Sequence, residues 1–123
     1  MKTKTCLVVD SSRVQRTFTR TIAENLAFAC REAADSNAAI SACAFTMPNV
    51  ILLDWDLPGL AGGEFLKAIR AIPGGDRPKI IVCSGSADID DILQSLEQGA
   101  DEYLMKPFDQ DIVRSKFEQI GLI

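Results

Sequence analysis

Near the middle of the chain lies the segment VILLDWDLPG, residues 50–59. Its first four residues are apolar, and Asp54 follows them directly. A short, continuously apolar run that ends in a polar residue is typical of a strand covered on both faces in a parallel sheet. Ligands bind at the carboxyl ends of such strands, so Asp54 is the first candidate functional residue.

Similar short runs recur along the chain, separated by segments of helical periodicity. This alternation predicts an α/β fold, a doubly wound five-stranded parallel sheet with helices on both faces. The predicted strands, of which the second is expected at an edge, are Thr5–Val9, Phe28–Ala33, Val50–Leu53, Ile80–Cys83 and Tyr103–Met105. The predicted helices are Arg13–Leu26, Ser36–Phe45, Gly63–Ala71, Asp88–Gln98 and Gln110–Gln119.

The predicted helices carry apolar stripes and end signals. We interpret the stripes of the first and fourth helices as core faces. Their members are Val14, Phe18, Ile22 and Leu26, and Ile89, Ile92, Leu93 and Leu96. The expected N-caps are Asp35, Asp88 and Asp109, and Gly99 is expected to follow the fourth helix in a left-handed conformation.

The composition excludes several classes of function. The 123 residues include 13 Lys and Arg, 17 Asp and Glu and no histidine, for a net charge of −4. Without histidine the chain cannot form a Ser-His-Asp triad or a His-ligated zinc site. The acidic balance argues against binding to nucleic acid. The four cysteines lack the spacing of a metal site, so we interpret them as buried apolar residues.

The length predicts one domain over residues 1–123. Every apolar run is far shorter than the roughly 20 residues that span a bilayer, and the N-terminal residues do not resemble a signal peptide. We therefore expect a cytoplasmic protein without membrane insertion.

Four polar residues follow predicted strands and should meet at one edge of the sheet: Asp10, Asp54, Ser84 and Lys106. Carboxylate oxygens are preferred ligands of Mg²⁺, while an ammonium and a hydroxyl can contact phosphoryl oxygens. An aspartate in such a site can also attack phosphorus and form an acyl phosphate, and Asp54 is the candidate nucleophile. Each residue also has a purely structural interpretation, with Asp10 as a helix cap, Ser84 in a turn and Lys106 in solvent.

Four segments resemble the signature regions of response-regulator receiver domains, and the resemblance covers essentially the whole chain. They are VVDSSR at 8–13, LLDWDLPG at 52–59, VCSG at 82–85 and YLMKPF at 103–108. The likeness is greatest to single-domain, CheY-like receivers. It implies a flavodoxin-like fold with strand order 2-1-3-4-5. It also implies a two-component response regulator that receives a phosphoryl group from a sensor histidine kinase or a histidine phosphotransfer protein, and not an enzyme.

The resemblance also implies residue roles. Asp54 would be the phosphoacceptor, contacted after activation by Ser84 and Lys106. Tyr103 would turn inward as a switch, and the face of helix 4, strand 5 and helix 5 would bind a downstream target protein. Mg²⁺ would be held by Asp10, Asp54 and the main-chain carbonyl of Asp56. Lys106-Pro107 would be a cis peptide bond.

The sequence departs from the family pattern at three positions. Ser11 stands where receivers usually have a second acidic residue, so it is a doubtful ligand and we expect weakened magnesium binding. Asp56 adds a negative charge beside Asp54. Either the Asp56 side chain or Asp10 would take the place of the carboxylate that is missing at Ser11, directly or through a bridging water. Ala61 replaces a frequent Asp, with a local effect only.

Two other functions are consistent with parts of the sequence. Ser11 favours a phosphorylation-independent adaptor with the receiver fold. The pair Asp54 and Asp56 is reminiscent of a haloacid-dehalogenase-like phosphatase, although that motif usually lies near the N-terminus. The helical spacing of Arg13, Arg16 and Arg20 indicates either a docking stripe for the phosphodonor or an ordinary solvated face.

Overall fold

The computed structural model describes residues 3–57, 62–86 and 88–123. Five strands alternate with five helices, and every boundary lies within one residue of its predicted position. The strands are β1 (Thr5–Val9), β2 (Ala29–Ala33), β3 (Val50–Asp54), β4 (Lys79–Ser84) and β5 (Glu102–Met105). The helices are α1 (Arg13–Asn25), α2 (Ser36–Phe45), α3 (Gly62–Ala71), α4 (Ile89–Glu97) and α5 (Gln110–Gln119). Pro58, Gly59 and Ala61 lie outside the described residues.

All strand pairs are parallel, in the order β2-β1-β3-β4-β5, so the predicted doubly wound sheet and its edge strand β2 are confirmed. Val9 is level with Leu53, Leu53 with Val82, and Cys83 with Leu104. This register aligns the carboxyl ends of the strands, and the order of the strands reverses between β1 and β3. A crevice at such a reversal is the usual ligand site of an open α/β sheet.

Alternate residues of each strand enter two separate cores because successive side chains of a strand point to opposite faces. On one face Val8 and Leu52 join Ile22 of α1 and Phe117 of α5. On the other face the strand residues pack against α2 and α3, where Phe65 is completely buried. Both faces of the sheet are thus covered, which explains the continuously apolar strands.

The predicted helix ends are confirmed. Asp35, Asp88 and Asp109 accept hydrogen bonds from backbone amides in the first turns of α2, α4 and α5. Gly99 has a φ of 119°, in the region that favours glycine. Within the described residues no helix is both long and apolar enough to cross a membrane.

The cysteines are free, and three of the four are buried as expected. The exception is Cys30, which is half-buried on the edge strand β2. Burial raises the pKa of Cys83 to about 12 and that of Cys43 to about 11. These two thiols are therefore protonated at neutral pH and pack as small apolar groups.

The interpretation of the apolar stripes as core faces is wrong for most of their members. Ile22 and Leu26 are buried and Ile92 is half-buried, while Val14, Phe18, Ile89, Leu93 and Leu96 are exposed. In α1 the reason is geometric, since residues spaced by four advance by about 40° around a helix. Val14 and Phe18 therefore lie off the core face formed by Thr19, Ile22 and Ala23, and the series reaches that face only at Ile22. In α4 the buried side contains Ser95 and part of Ile92, whereas Ile89, Leu93 and Leu96 point away from the core.

The same substitution at two isoleucines tests this correction. Ile22→Ala should lower the free energy of unfolding by about 2–5 kcal/mol, because it removes buried methyl groups and leaves a cavity. Ile89→Ala should change it by less than about 0.5 kcal/mol, because the side chain is 69% exposed. Urea denaturation followed by circular dichroism measures both, and an equal loss at the two sites contradicts the assignment of faces.

Candidate functional site

The carboxyl edge of the sheet gathers the four polar residues that the sequence singled out. Asp10 directly follows β1, Asp54 ends β3, Ser84 ends β4, and Lys106 directly follows β5. The first three side chains are buried. The Nζ of Lys106 lies 2.9 Å from Oδ2 of Asp10 and 3.5 Å from Oδ1 of Asp54. One ammonium therefore bridges two carboxylates, and the solvated interpretation of Lys106 is wrong.

Lys106 is fixed by its own backbone. Its N–H donates to the carbonyl of Ser84 over 2.8 Å, and the Lys106-Pro107 peptide bond is cis, as the resemblance implied. Burial alone would lower the pKa of Lys106, but the hydrogen bond to Asp10 and the charge of Asp54 outweigh burial and raise it. Lys106 is thus positively charged across the neutral range.

Asp54 has one occupied and one open carboxylate oxygen. Its Oδ1 accepts a hydrogen bond from the amide of Asp56, while Oδ2 accepts none from any residue that the structure describes. Burial raises the pKa of the Asp54 carboxyl, although the Asp56 amide and Lys106 oppose the shift. A desolvated carboxylate with an open oxygen beside a fixed cation has the character of a nucleophile.

Asp10 is held in place without capping α1. The N-cap is Ser12, whose hydroxyl accepts a hydrogen bond from the amide of Gln15. Asp10 instead accepts a hydrogen bond from the Ser12 amide at Oδ1 and turns Oδ2 toward Lys106. The structural interpretation of Asp10 as the helix cap is therefore wrong.

Ser11 and the side chain of Asp56 are both exposed. Among the described residues, no three acidic or cysteine side chains are grouped as a metal site. The oxygen donors for a cation are thus the Asp10 and Asp54 carboxylates and backbone carbonyls. Mg²⁺ fits this set, because it often takes only one or two carboxylates and keeps several waters. Taken together, the carboxylates of Asp10 and Asp54 and the ammonium of Lys106 carry one net negative charge.

Ser84 begins a short chain of hydrogen bonds that the sequence did not predict. The Ser84 hydroxyl accepts from the Ser86 amide over 3.1 Å, and the Ser86 hydroxyl donates to Asp91 of α4 over 3.2 Å. Tyr103 is buried, and its hydroxyl donates to the Ser86 carbonyl over 2.5 Å. The turn interpretation of Ser84 is therefore correct in part, and the turn joins the site to α4 and β5.

The basic stripe of α1 is largely neutralised. Arg16 and Arg20 both pair with Glu32, and Arg20 also pairs with Glu24. Arg13 forms no ion pair with a described residue. Arg16 also donates to the carbonyls of Asp10 and Ser11, a contact that the stripe did not reveal. A usable signal existed, since helical side chains point back toward the N-terminus and Arg16 lies one turn after Ser12.

Comparison with known proteins gives one family over nearly the whole chain. The profile described as "Response regulator receiver domain" matches residues 6–118. This family consists of signalling domains and not of catalytic enzymes, and Mg²⁺ and phosphoaspartate are general features of it.

Two curated relatives differ in how much of their length is matched. The phosphate regulon regulator PhoB of Pseudomonas aeruginosa is 33% identical over 105 residues, which cover 85% of this chain but 46% of PhoB. The chemotaxis protein CheY of the same species is 26% identical over 115 residues, or 93% of both chains. The chain thus spans about half of PhoB and nearly all of CheY.

Solved structures give the same fold. Chemotaxis response regulator CheY4 of Vibrio cholerae superposes with a TM-score of 0.90 over 97% of this chain and 99% of its own, at 22% identity. The receiver domain of a sensor histidine kinase from P. aeruginosa has a TM-score of 0.85 and 28% identity, covering 98% and 99% of the two chains. That structure contains a magnesium ion coordinated in its active site cleft.

The raised pKa of Asp54 predicts a pH-dependent stability. The ionised carboxylate costs folding free energy above its folded pKa, and this cost disappears below the ordinary aspartate pKa of about 3.9, where both states are protonated. Asp54→Asn should therefore stabilise the protein near pH 7, with a gain that shrinks toward about pH 3. Urea denaturation in EDTA measures the gain. The exposed Asp76→Asn is the control, and a destabilised Asp54→Asn protein at pH 7 contradicts the prediction.

Proposed function

The chain belongs to the response regulator receiver domain family, and we propose from this that Asp54 accepts a phosphoryl group from a phosphohistidine of another protein. The donor would be a sensor histidine kinase or a histidine phosphotransfer protein, since this chain has no histidine. The observation that carries the proposal is the Lys106 ammonium, which holds Asp10 and Asp54 together at the end of the sheet. We propose that residues 1–123 form one receiver domain.

In the proposed transfer, Oδ2 of Asp54 attacks phosphorus and a P–O bond forms. The P–N bond to the donor imidazole breaks, and its electron pair stays on the imidazole nitrogen. Lys106 neutralises a phosphoryl oxygen that comes within its reach, because its charge is already fixed between the two carboxylates. The Ser84 hydroxyl donates a hydrogen bond to a second phosphoryl oxygen. Hydrolysis of the acyl phosphate would return Asp54 to its carboxylate, which is self-dephosphorylation rather than enzymatic turnover.

Mg²⁺ belongs to this proposal as the ion that offsets phosphoryl charge. We assign it to the carboxylates of Asp10 and Asp54 and to the main-chain carbonyl of Asp56. Ser11 contributes a hydroxyl instead of a carboxylate, and the exposed Asp56 side chain does not replace the missing charge within the described geometry. The proposed site is therefore a weak magnesium site.

An exposed apolar surface on α1 supports the proposed phosphodonor as a partner. Val14 and Phe18 lie on α1, with the Phe18 ring 6.0 Å from that of Phe108, just after Lys106 and Pro107. We assign this surface, with the charge of Arg13, which pairs with no described residue, to docking of the phosphodonor. The family resemblance favours the same region.

The proposed output surface is the face of α4, β5 and α5. Ile89, Leu93 and Leu96 are exposed along α4, and Met105 is exposed on β5. Ser86 contacts both Asp91 and Tyr103, so a movement of Ser84 toward a phosphoryl oxygen would act on this face through that loop. A downstream target protein would bind there, with Tyr103 as the switch.

Phosphoryl transfer is tested with a small-molecule phosphodonor and Mg²⁺. The unmodified protein should gain the mass of one phosphoryl group, in a linkage that hydroxylamine cleaves as expected for an acyl phosphate. Asp54→Asn should gain none, because its amide is not a nucleophile. Asp56→Asn is the matched control and should still be labelled. Equal labelling of the unmodified and Asp54→Asn proteins contradicts the assignment.

The fluorescence of Trp55 distinguishes the phosphorylated receiver from the adaptor. Trp55 is the only tryptophan and is adjacent to Asp54. Its emission should change with Mg²⁺ and again with beryllofluoride, which mimics the aspartyl-bound phosphoryl group. No change with either addition favours the adaptor. The phosphatase alternative is set aside by the family match, and turnover of a phosphomonoester would reinstate it.

Position 11 tests the weak magnesium site with a pair of nearly isosteric variants. Ser11→Asp should bind Mg²⁺ more tightly than the unmodified protein, because it adds a carboxylate ligand. Ser11→Asn supplies a neutral oxygen of similar reach and should bind less tightly than Ser11→Asp. Magnesium titration of Trp55 emission gives the affinities. Equal affinities in the two variants would show that charge at position 11 does not limit binding.

A further inference from the structure

Arg16 contacts both the loop between β1 and α1 and the strand β2. Its Nη1 donates to the carbonyl of Asp10 over 2.9 Å and lies 3.4 Å from that of Ser11. Its Nε donates to Oε1 of Glu32 over 3.1 Å. The Arg16 side chain is only 16% exposed. The guanidinium thus connects the loop to the edge strand β2.

The polar groups of Asp10 that do not face the site all have hydrogen-bond partners, and Arg16 is one of them. The Asp10 amide donates to the carbonyl of Ala33, and the Asp10 carbonyl accepts from Arg16. Oδ1 accepts from the Ser12 amide. Only Oδ2 faces Lys106. The amide and the carbonyl of Asp10 are therefore both held by hydrogen bonds, and the carboxylate is oriented with Oδ2 toward the site.

The charge of Arg16 is compensated where it stands. Glu32 accepts from both Arg16 and Arg20, and these hydrogen bonds, with that of Arg20 the larger effect, lower the pKa of Glu32. Glu32 is consequently ionised at neutral pH. Arg20 also pairs with Glu24, so the two arginines face two carboxylates, and Arg16 can orient the loop without placing an uncompensated positive charge beside the cation site.

We propose that Arg16 is a positioning residue for magnesium binding, acting through the Asp10 carboxylate. The inference rests on the proposed function, and it goes beyond it by giving a role to a residue outside the ligand set. The role matters in this chain because Ser11 supplies no carboxylate, so Asp10 is the only acidic side chain that the β1–α1 loop offers. Outer contacts that orient a metal ligand typically change affinity by about 10–100-fold when they are removed.

The direction in which the magnesium affinity changes when Arg16 is replaced separates a positioning role from simple electrostatics. Removing a cation near a magnesium site strengthens binding if only Coulomb forces act. Loss of positioning weakens it. Arg20 provides the matched control, because it pairs with Glu32 but makes no hydrogen bond to the β1–α1 loop.

The experiment is a titration with MgCl₂ alone, followed by amide shifts in proton–nitrogen NMR spectra of the full chain. Arg16→Ala should weaken magnesium binding about tenfold or more. Arg16→Lys, which keeps the charge but not the fork of donors, should lie between Arg16→Ala and the unmodified protein. Arg20→Ala should bind as the unmodified protein does or slightly more tightly. Urea denaturation without Mg²⁺ gives the stability of each variant separately.

Each outcome decides the proposal. It is overturned if Arg16→Ala binds Mg²⁺ as tightly as the unmodified protein or more tightly, even when Arg16→Ala is less stable. It is overturned also if Arg20→Ala weakens binding to the same extent. Should Arg16→Ala fail to fold, the intermediate affinity of Arg16→Lys decides. If the unmodified protein binds no Mg²⁺, the metal part of the proposed function fails together with this inference, whereas phosphoryl transfer to Asp54 is tested independently.

Discussion

The contact of the Lys106 ammonium with two carboxylates is the interaction on which the site depends. Asp10 and Lys106 are 96 positions apart, and Asp54 belongs to a third strand. Two ionised carboxylates this close disfavour each other, and a cation between them removes most of that cost. The sheet order makes the arrangement possible, because Lys106 reaches from the edge strand β5 across β4 to the ends of β3 and β1. A phosphoryl group that enters the site must share this cation.

The fold and the central site residues were predictable because their signals are local. A short apolar run of three or more residues indicates a buried strand, and the residue after it lies at the ligand-binding edge whatever the rest of the chain does. Asp54 and Lys106 follow from this rule alone. The faces of the helices were not predictable in the same way. Ile89 and Leu93 have the spacing of a core stripe, yet the orientation of α4 on the sheet depends on packing that involves the whole chain.

The supporting contacts of the site were not predictable from residue types. Arg16 donates to a backbone carbonyl, and Ser86 donates to Ser84 through its backbone amide. A sequence does not show which main-chain groups are available for such hydrogen bonds. Charge pairing was equally hidden. Arg20 looked like part of a free basic stripe, but Glu24 on α1 and Glu32 on β2 both pair with it. The departures Ser11 and Asp56 were visible from sequence, whereas the exposure of both side chains required the structure.

The attachment of α4 has a consequence for local stability. Ser95 is its only buried residue, so little apolar surface resists separation of this helix from the sheet. Helices with few buried contacts open locally at a small fraction of the global unfolding free energy. A helix this loosely held can be redistributed between conformations by a ligand that contributes only a few kcal/mol of differential affinity.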